Sequence, residues 1–116
     1  MNIEFYRNYC LNKPGATEDF PFDTDTLVFK VGGKIFALLN LEVFDSINLK
    51  CHPERAVELR ERYSEVIPGY HMNKNHWNTI SVIGSIADDL ILEWTDDSYE
   101  LVVRSLPKKL KEELEF

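Results

Sequence analysis

Three features predict an α+β fold, a two-layer α/β sandwich with an antiparallel sheet. Apolar and polar residues alternate through several short runs, a Gly-Gly pair joins two of those runs, and helical patterns lie at both ends and in the middle. The expected order is α-β(3)-α-β(2)-α, with a weak edge segment ahead of the first sheet strands. Residues 1–116 are read as a single domain, a length too short for two.

Asn2 is suited to cap a first helix reaching about Asn12, with Ile3, Phe5 and Tyr9 expected on its inner side. Lys13-Pro14-Gly15 ends it, since Pro cannot extend the helical ladder and Gly accepts a left-handed turn. Thr17–Phe22 reads as an extended edge segment and Asp23-Thr24-Asp25 as a turn. Thr26–Val31 and Lys34–Asn40 are β-rich runs joined by Gly32-Gly33, a two-residue hairpin signal. In the first run Leu27, Phe29 and Val31 share one face and Val28 and Lys30 the other. Leu41–Asp45 connects to a third strand, Ser46–Cys51, in which Ile47, Leu49 and Cys51 alternate with Asn48 and Lys50. Pro53 opens a second helix at the position where its missing N–H costs nothing; Ala56, Val57 and Leu59 are its apolar residues. Its charged face, which includes Arg55, Arg60 and Arg62, reads as a solvated surface. Val66–His71 and Trp77–Ile83 are two further strands joined through Met72–His76. Ser85-Ile86-Ala87-Asp88 resembles a capping box, and Leu90, Ile91, Trp94, Leu101 and Val102 are placed inward on the last long helix, with a break near Trp94. Pro107 stops it, and Lys108–Phe116 forms a short charged helix or tail.

The net charge of −7 counts against a generic nucleic-acid binder, because such affinity comes mostly from neutralised phosphates. That charge is unevenly spread. Residues 1–25 carry two basic and five acidic groups, and residues 85–105 one basic and six acidic. Residues 26–84 carry seven basic and six acidic groups and all three histidines. The sheet region is therefore neutral to weakly basic, and Lys30, Lys34, Asn48, Lys50 and Lys74 are candidates for one exposed face or its rim. Residues 1–13 lack a basic flank followed by an apolar core, so an export signal is not expected; a cytoplasmic location with Cys10 and Cys51 as free thiols is. The longest apolar runs, such as Ile35–Leu39, fall far short of the ~20 residues of a membrane span. The chain contains no C-x-x-C, P-loop, G-x-G-x-x-G, H-E-x-x-H or G-x-S-x-G string.

The densest unusual chemistry is Gly69-Tyr70-His71-Met72-Asn73-Lys74-Asn75-His76-Trp77-Asn78-Thr79. A metal site using His71 and His76 with Cys51 or His52 lacks a recognised ligand spacing, and a catalytic Cys51–His pair needs an activating environment that spacing does not supply. A binding surface suits amides, lysine and aromatics, which contact phosphates, stack on bases or anchor a partner. The competing reading makes Tyr70 and Trp77 packing residues and the asparagines turn caps.

Several strings resemble the MmcQ/YjbR family of small bacterial proteins. They are Asp19-Phe20-Pro21-Phe22, Leu27 to Ala37, Asn48-Leu49-Lys50-Cys51, Pro53-Glu54-Arg55-Ala56, Ile67 to Lys74, His76-Trp77-Asn78-Thr79 and Ser98-Tyr99-Glu100-Leu101-Val102. The resemblance implies a two-layer sandwich related to secretion-chaperone and CyaY (frataxin-like) shapes, and DNA binding through a double-wing arrangement of hairpins. It supplies no catalytic residues, and the acidic side chains show no oxygen-ligand clustering for iron. The expectation is therefore a non-enzymatic protein without metal or cofactor.

Two functions follow as expectations. The first is a DNA-binding accessory protein presenting its hairpins and the 69–79 loop. Lys30, Lys34, Lys50, Lys74 and His76 would contact phosphates, and Asn73, Trp77 or Asn78 would lie near sugar or base edges. The second is a protein- or peptide-binding module using the exposed sheet face or an edge strand, with an apolar patch around Phe36, Leu38 or Trp77. A third class is a small-ligand pocket lined by Tyr70, His71, His76 and Trp77. No membrane partner is expected, and the chain is read as a monomer or weak dimer.

Overall fold

A computed structural model describes residues 1–69 and 72–116. Asn2 caps α1 (Ile3–Leu11), its side-chain oxygen accepting the Phe5 amide at 2.8 Å. There follow β1 (Ala16–Asp19), β2 (Thr26–Val31), β3 (Lys34–Asn40), β4 (Ser46–Lys50) and α2 (Pro53–Arg62). The chain continues through β5 (Val66–Pro68), β6 (Trp77–Ser81), α3 (Asp88–Ser105) and α4 (Lys108–Glu113). The strands form one antiparallel sheet in the order β1-β2-β3-β4-β6-β5, so the α+β class holds. Gly32 and Gly33 both take positive φ, 58° and 78°, as a two-residue primed hairpin turn requires.

Register carries the alternation of each strand across the sheet. Leu27 faces Leu39, Phe29 faces Ala37, Leu39 faces Ile47, Ala37 faces Leu49, and Ile47 faces Ile80, which also faces Val66. These side chains share one face and pack with Tyr6 and Cys10 of α1, Leu59 of α2, and Ile91, Trp94, Tyr99 and Val102 of α3. All three helices thus cover the same side. On the other face Val28, Leu38, Asn48, Thr79 and Ile67 stand in one row across the strands. Its polar centre is satisfied internally, since Asn48 and Thr79 hydrogen-bond to each other.

A β-bulge breaks the regularity between Phe29 and Lys30, whose partners on β3 are Ala37 and Ile35. The extra residue, Phe36, turns into the core, fully buried and edge-on to Tyr99 at 5.3 Å. Beyond Ala37 opposite Leu49 the β3–β4 ladder opens, and α3 fills the gap. The buried Ser98 hydroxyl accepts the Lys50 amide at 2.9 Å and donates to the Phe36 carbonyl at 2.5 Å.

Several local expectations are corrected. Tyr6 and Cys10, not Phe5 and Tyr9, face inward on α1, because the Tyr6 hydroxyl pairs with the buried Thr95 hydroxyl at 2.9 Å. Phe5 is 51% exposed. β1 starts at Ala16 and ends before Phe20. Val57 is exposed, leaving Ala56 and Leu59 as the buried residues of α2. Ser85 does not cap α3, whose first flanking residue is Ala87; it bonds the Glu65 carboxylate instead. α3 runs unbroken through Trp94 and Thr95, and the Thr95 hydroxyl donates back to the Ile91 carbonyl at 2.9 Å within the helix instead of capping a new one. Cys51 lies just outside β4, and β5 ends at Pro68; Tyr70 and His71, expected in that strand, lie outside the described residues. Among the described residues no helix is long and apolar enough to cross a membrane.

Candidate functional site

Strand direction sorts the charged residues by the two ends of the sheet. Lys50 stands opposite Trp77 and Val31 opposite Lys34, so β2 and β4 finish where β3 and β6 begin. The β2–β3 turn lies at this same end, and β5 finishes and β6 begins there, while Met72 of their connection reaches back beside Phe22, Asp23, Thr26 and Leu38. The β2–β3 hairpin brings Lys30 and Lys34, β4 brings Lys50, and the β5–β6 connection brings Lys74 and His76. The start of α2, close after β4, adds His52 at the N-cap and Arg55 in the first turn. The opposite end carries Asp23, Asp25, Glu42 and Asp45 in its loops, with Asp88 and Asp89 at the start of α3. Basic side chains thus gather at one end of the sheet, where Asp97 and Glu100 of α3 also stand near Lys50, and the loops of the other end are acidic.

The two hairpins are centred three strand spacings apart, about 14 Å. Arg60 holds the described part of the β5–β6 connection in place. Its guanidinium donates to the Asn78 side-chain oxygen at 2.6 Å, to the Trp77 carbonyl at 3.3 Å and to the Lys74 carbonyl. The Cys51 amide donates to the His76 carbonyl at 2.6 Å. Asn73 closes the turn, its side chain accepting the Asn75 amide at 2.8 Å and its carbonyl the His76 amide at 3.1 Å. The backbone under Lys74 and His76 is therefore fixed while both residues stay exposed. Arg60, expected on a solvated helix face, is half-buried instead. Its place beside Leu59 and one turn after Ala56, at the border of the buried stripe, is the sequence signal for this role.

The eight candidate residues separate into exposed and buried groups. Asn73, Lys74 and His76 are exposed on the connection, and Lys50 is half-buried at the strand end. Lys30 is half-buried and pairs with Asp19 at 3.4 Å. Lys34 is exposed and approaches the Ser105 carbonyl at 3.5 Å, at the C-terminal end of α3 where a cation is favoured. Trp77 and Asn78 are 6% and 1% exposed. Asn78 turns toward the helices, accepting from Arg60 and donating to the Ala56 carbonyl at 3.3 Å, so both residues have packing roles and neither presents a free edge to a base. The expected apolar patch is likewise absent, as Phe36, Leu38 and Trp77 are all buried. Tyr70 and His71 lie outside the described residues.

Burial pushes Cys10 up to about 12 and raises Cys51, the latter against the opposing pull of Arg55 and Arg60.

On the helix-free face a trough runs past Thr26, Leu38, Asn48 and Thr79 toward Ile67, with Asp23, Asp45 and Glu65 on its border and no lysine or arginine among the described lining residues.

A family model, YjbR, matches residues 11–101. The chain is 36% identical over 110 residues to the uncharacterized protein YjbR of Escherichia coli (strain K12), covering 94% of this chain and 93% of that protein. It is 36% identical over 107 residues to the uncharacterized protein YbdF of Escherichia coli O157:H7, covering 91% and 88%. Among solved structures, the Deinococcus radiodurans protein DR2400, of domain family DUF419, superposes with a TM-score of 0.92 at 36% identity, covering 99% of this chain and 88% of that one. A Pseudomonas syringae crystal structure gives 0.75 at 30% identity, covering 88% and 99%. With that match spanning nearly its whole length, this chain belongs to the YjbR family.

Proposed function

We propose that the protein binds DNA through the basic end of its sheet, the two hairpins contacting the phosphate backbone on either side of a groove. The observation that carries this reading is the placement of the β2–β3 and β5–β6 strand pairs, which gathers Lys30, Lys34, Lys50, Lys74 and His76 at one end of an otherwise acidic molecule. Their spacing of about 14 Å is comparable to the ~12 Å width of a B-DNA major groove. Burial of Trp77 and Asn78 leaves phosphate contacts as the main source of affinity. Such binding has little sequence preference. The acidic opposite end orients the approach and limits the strength. No catalytic step is part of this reading.

Four lysines neutralising four phosphates set a salt slope of about −3 to −4, so affinity drops about a hundredfold between 50 and 200 mM salt. Anisotropy titrations of a short fluorescent duplex test this. Micromolar binding at low salt is expected, with a slope that falls by about one for Lys50→Glu or Lys74→Glu. No binding at low salt, or a slope indifferent to these changes, refutes the reading.

The acidic, helix-free trough favours a second reading, a protein partner that lays a segment rich in lysine or arginine along Asp45 and Ile67. Photo-crosslinking from position 67 separates the two. A nuclease-resistant adduct with one basic protein, lost in Asp45→Lys, supports a partner on this face. Its absence argues against a partner on this face.

A further inference from the structure

α2 and α3 do not close against each other over the ends of β4 and β6. Between them lies a cleft of about 260 Å³. Its floor is apolar, built from Leu49, Leu59, Ile80 and Trp94. The mouth carries Arg55 from the first turn of α2 and Arg104 from the end of α3. Lys50 and His52 stand at the same side, and Asp97 and Glu100 are the acidic members of the wall. Arg55 also pairs with Glu58, but at an exposed i,i+3 site where water competes. No side chain caps α2 at this mouth, so the amides of its first turn add to the positive field.

One polar group of a lining residue is left without a partner by the fold. The Trp94 indole N–H has no acceptor, the sole buried side-chain nitrogen or oxygen so placed among the described residues. Trp94 is 4% exposed, its ring set edge-on to Tyr63 at 5.2 Å. Neighbouring buried polar groups are all satisfied: Thr95 by Tyr6 and Ile91, Ser98 by Lys50 and Phe36, and Asn78 by Arg60 and Ala56. An orphan donor beside an apolar cavity with a cationic mouth is the signature of a site completed from outside.

We infer that the α2–α3 cleft binds a small amphipathic carboxylic acid, with its carboxylate at Arg55 and the start of α2, its apolar body on Leu49, Leu59 and Ile80, and an acceptor atom reaching the Trp94 N–H as the cleft widens. The cavity is just below the ~300–1,000 Å³ of drug-sized ligand pockets, so the ligand is a compact metabolite. On the wall, burial first and Glu93 next hold the Asp97 carboxyl above the usual range, against the pull of Arg55. The mouth shares Lys50 with the basic end of the sheet, but Trp94 and the apolar floor take no part in DNA binding, so the Trp94 resonance tests this site apart from that reading.

Picolinate, which has a carboxylate and a ring-nitrogen acceptor, is the probe. Benzoate lacks the acceptor, 2-pyridinemethanol lacks the charge, and inorganic phosphate is an anion without an apolar body. The indole N–H resonance of Trp94, assigned with Trp77→Phe, reports the hydrogen bond directly. Alkylation of Cys51, which lines the cleft, reports occupancy, while fully buried Cys10 stays silent. Picolinate at millimolar concentration should move the Trp94 resonance downfield and slow Cys51 alkylation. Benzoate should slow alkylation without the downfield shift, and Arg55→Gln should weaken both acids about tenfold. Leu101→Trp, which fills the cleft from its rim, should abolish both responses in a chain that keeps its fold. An unmoved Trp94 resonance with picolinate overturns the inference. So does equal binding by 2-pyridinemethanol or phosphate, or an undiminished response in Arg55→Gln.

Discussion

Replacing Ser98 with Ala removes one hydroxyl and strands two backbone groups. In the folded chain that hydroxyl sits where the bulge at Phe36 parts β3 from β4, taking the Lys50 amide and giving its own proton to the Phe36 carbonyl. Ser98 is fully buried, so water has no route to either group. Each unsatisfied backbone group costs about 1–3 kcal/mol, and part-burial of the Lys50 side of the gap lowers its share. The expected loss is about 2–4 kcal/mol. An unfolding entropy of about 2.1 cal/mol/K per residue gives this 116-residue chain about 0.24 kcal/mol/K, so a loss of about 3 kcal/mol lowers Tm by about 12 °C. Thermal melts and urea titrations at neutral pH measure both. Ser105→Ala is the control, since that exposed hydroxyl only bonds the Val102 carbonyl within its own helix and its loss should stay within about 0.5 kcal/mol. A Ser98→Ala loss no larger than the Ser105→Ala loss refutes the idea that this hydroxyl substitutes for the missing ladder bond.

Three further outcomes are expected. Gly32→Ala should cost about 1–3 kcal/mol in urea titrations, because it forces φ of 58° on a residue with a Cβ that would meet Leu106 at 2.7 Å; Gly33→Asn, with nothing within 4 Å, should cost under about 1 kcal/mol. Burial holds Cys10 at about 12 against 9.0, and burial together with the Asp96 hydrogen bond holds Tyr9 at about 12 against 10.0. Both folded values are raised, so stability is intact below about pH 9 and falls as pH climbs toward 12, where the unfolded chain sheds protons that the folded chain keeps. Cys10→Ala, less stable at neutral pH, should lose less than the parent over that window, and parallel curves for the two chains would contradict the assignment. Arg60→Ala should speed hydrogen exchange at the Cys51 amide and through residues 73–77, and Arg60→Lys should not restore protection, since an ammonium cannot span the three acceptors as a planar guanidinium does.

The legible parts of the fold are those set by neighbours along the chain. The β2–β3 hairpin reads directly from Gly32-Gly33, since only glycine takes two successive positive φ values without strain, and strict alternation then assigns Leu27, Phe29 and Val31 to the core. Pro53 and Pro107 mark helix boundaries for the same local reason. Misreadings cluster where a distant partner decides. Tyr6 and Phe5 are adjacent aromatics, and only Thr95 determines which one turns inward. Ser85 has the spacing of a capping residue, but Glu65, twenty positions earlier, captures it. Arg60 looks like one more charge on a charged helix until Lys74, Trp77 and Asn78 are brought beneath it.

The candidate site divides in the same way. Sequence alone determined that positive charge is concentrated in the middle of the chain and that residues 69–79 carry an unusual set of side chains. Tertiary structure decided which of those side chains are free. Strand direction brought Lys30, Lys34, Lys50, Lys74 and His76 to one end of the sheet, and packing took Trp77 and Asn78 out of reach. It also opened a cleft between two helices that no motif announces, since Arg55, Trp94 and Asp97 meet only because α2 and α3 lie side by side on the sheet. The physical reason is range. Backbone preference and periodicity act over a few residues and are written locally, whereas burial, charge pairing and cavities depend on which distant segments the sheet order makes neighbours.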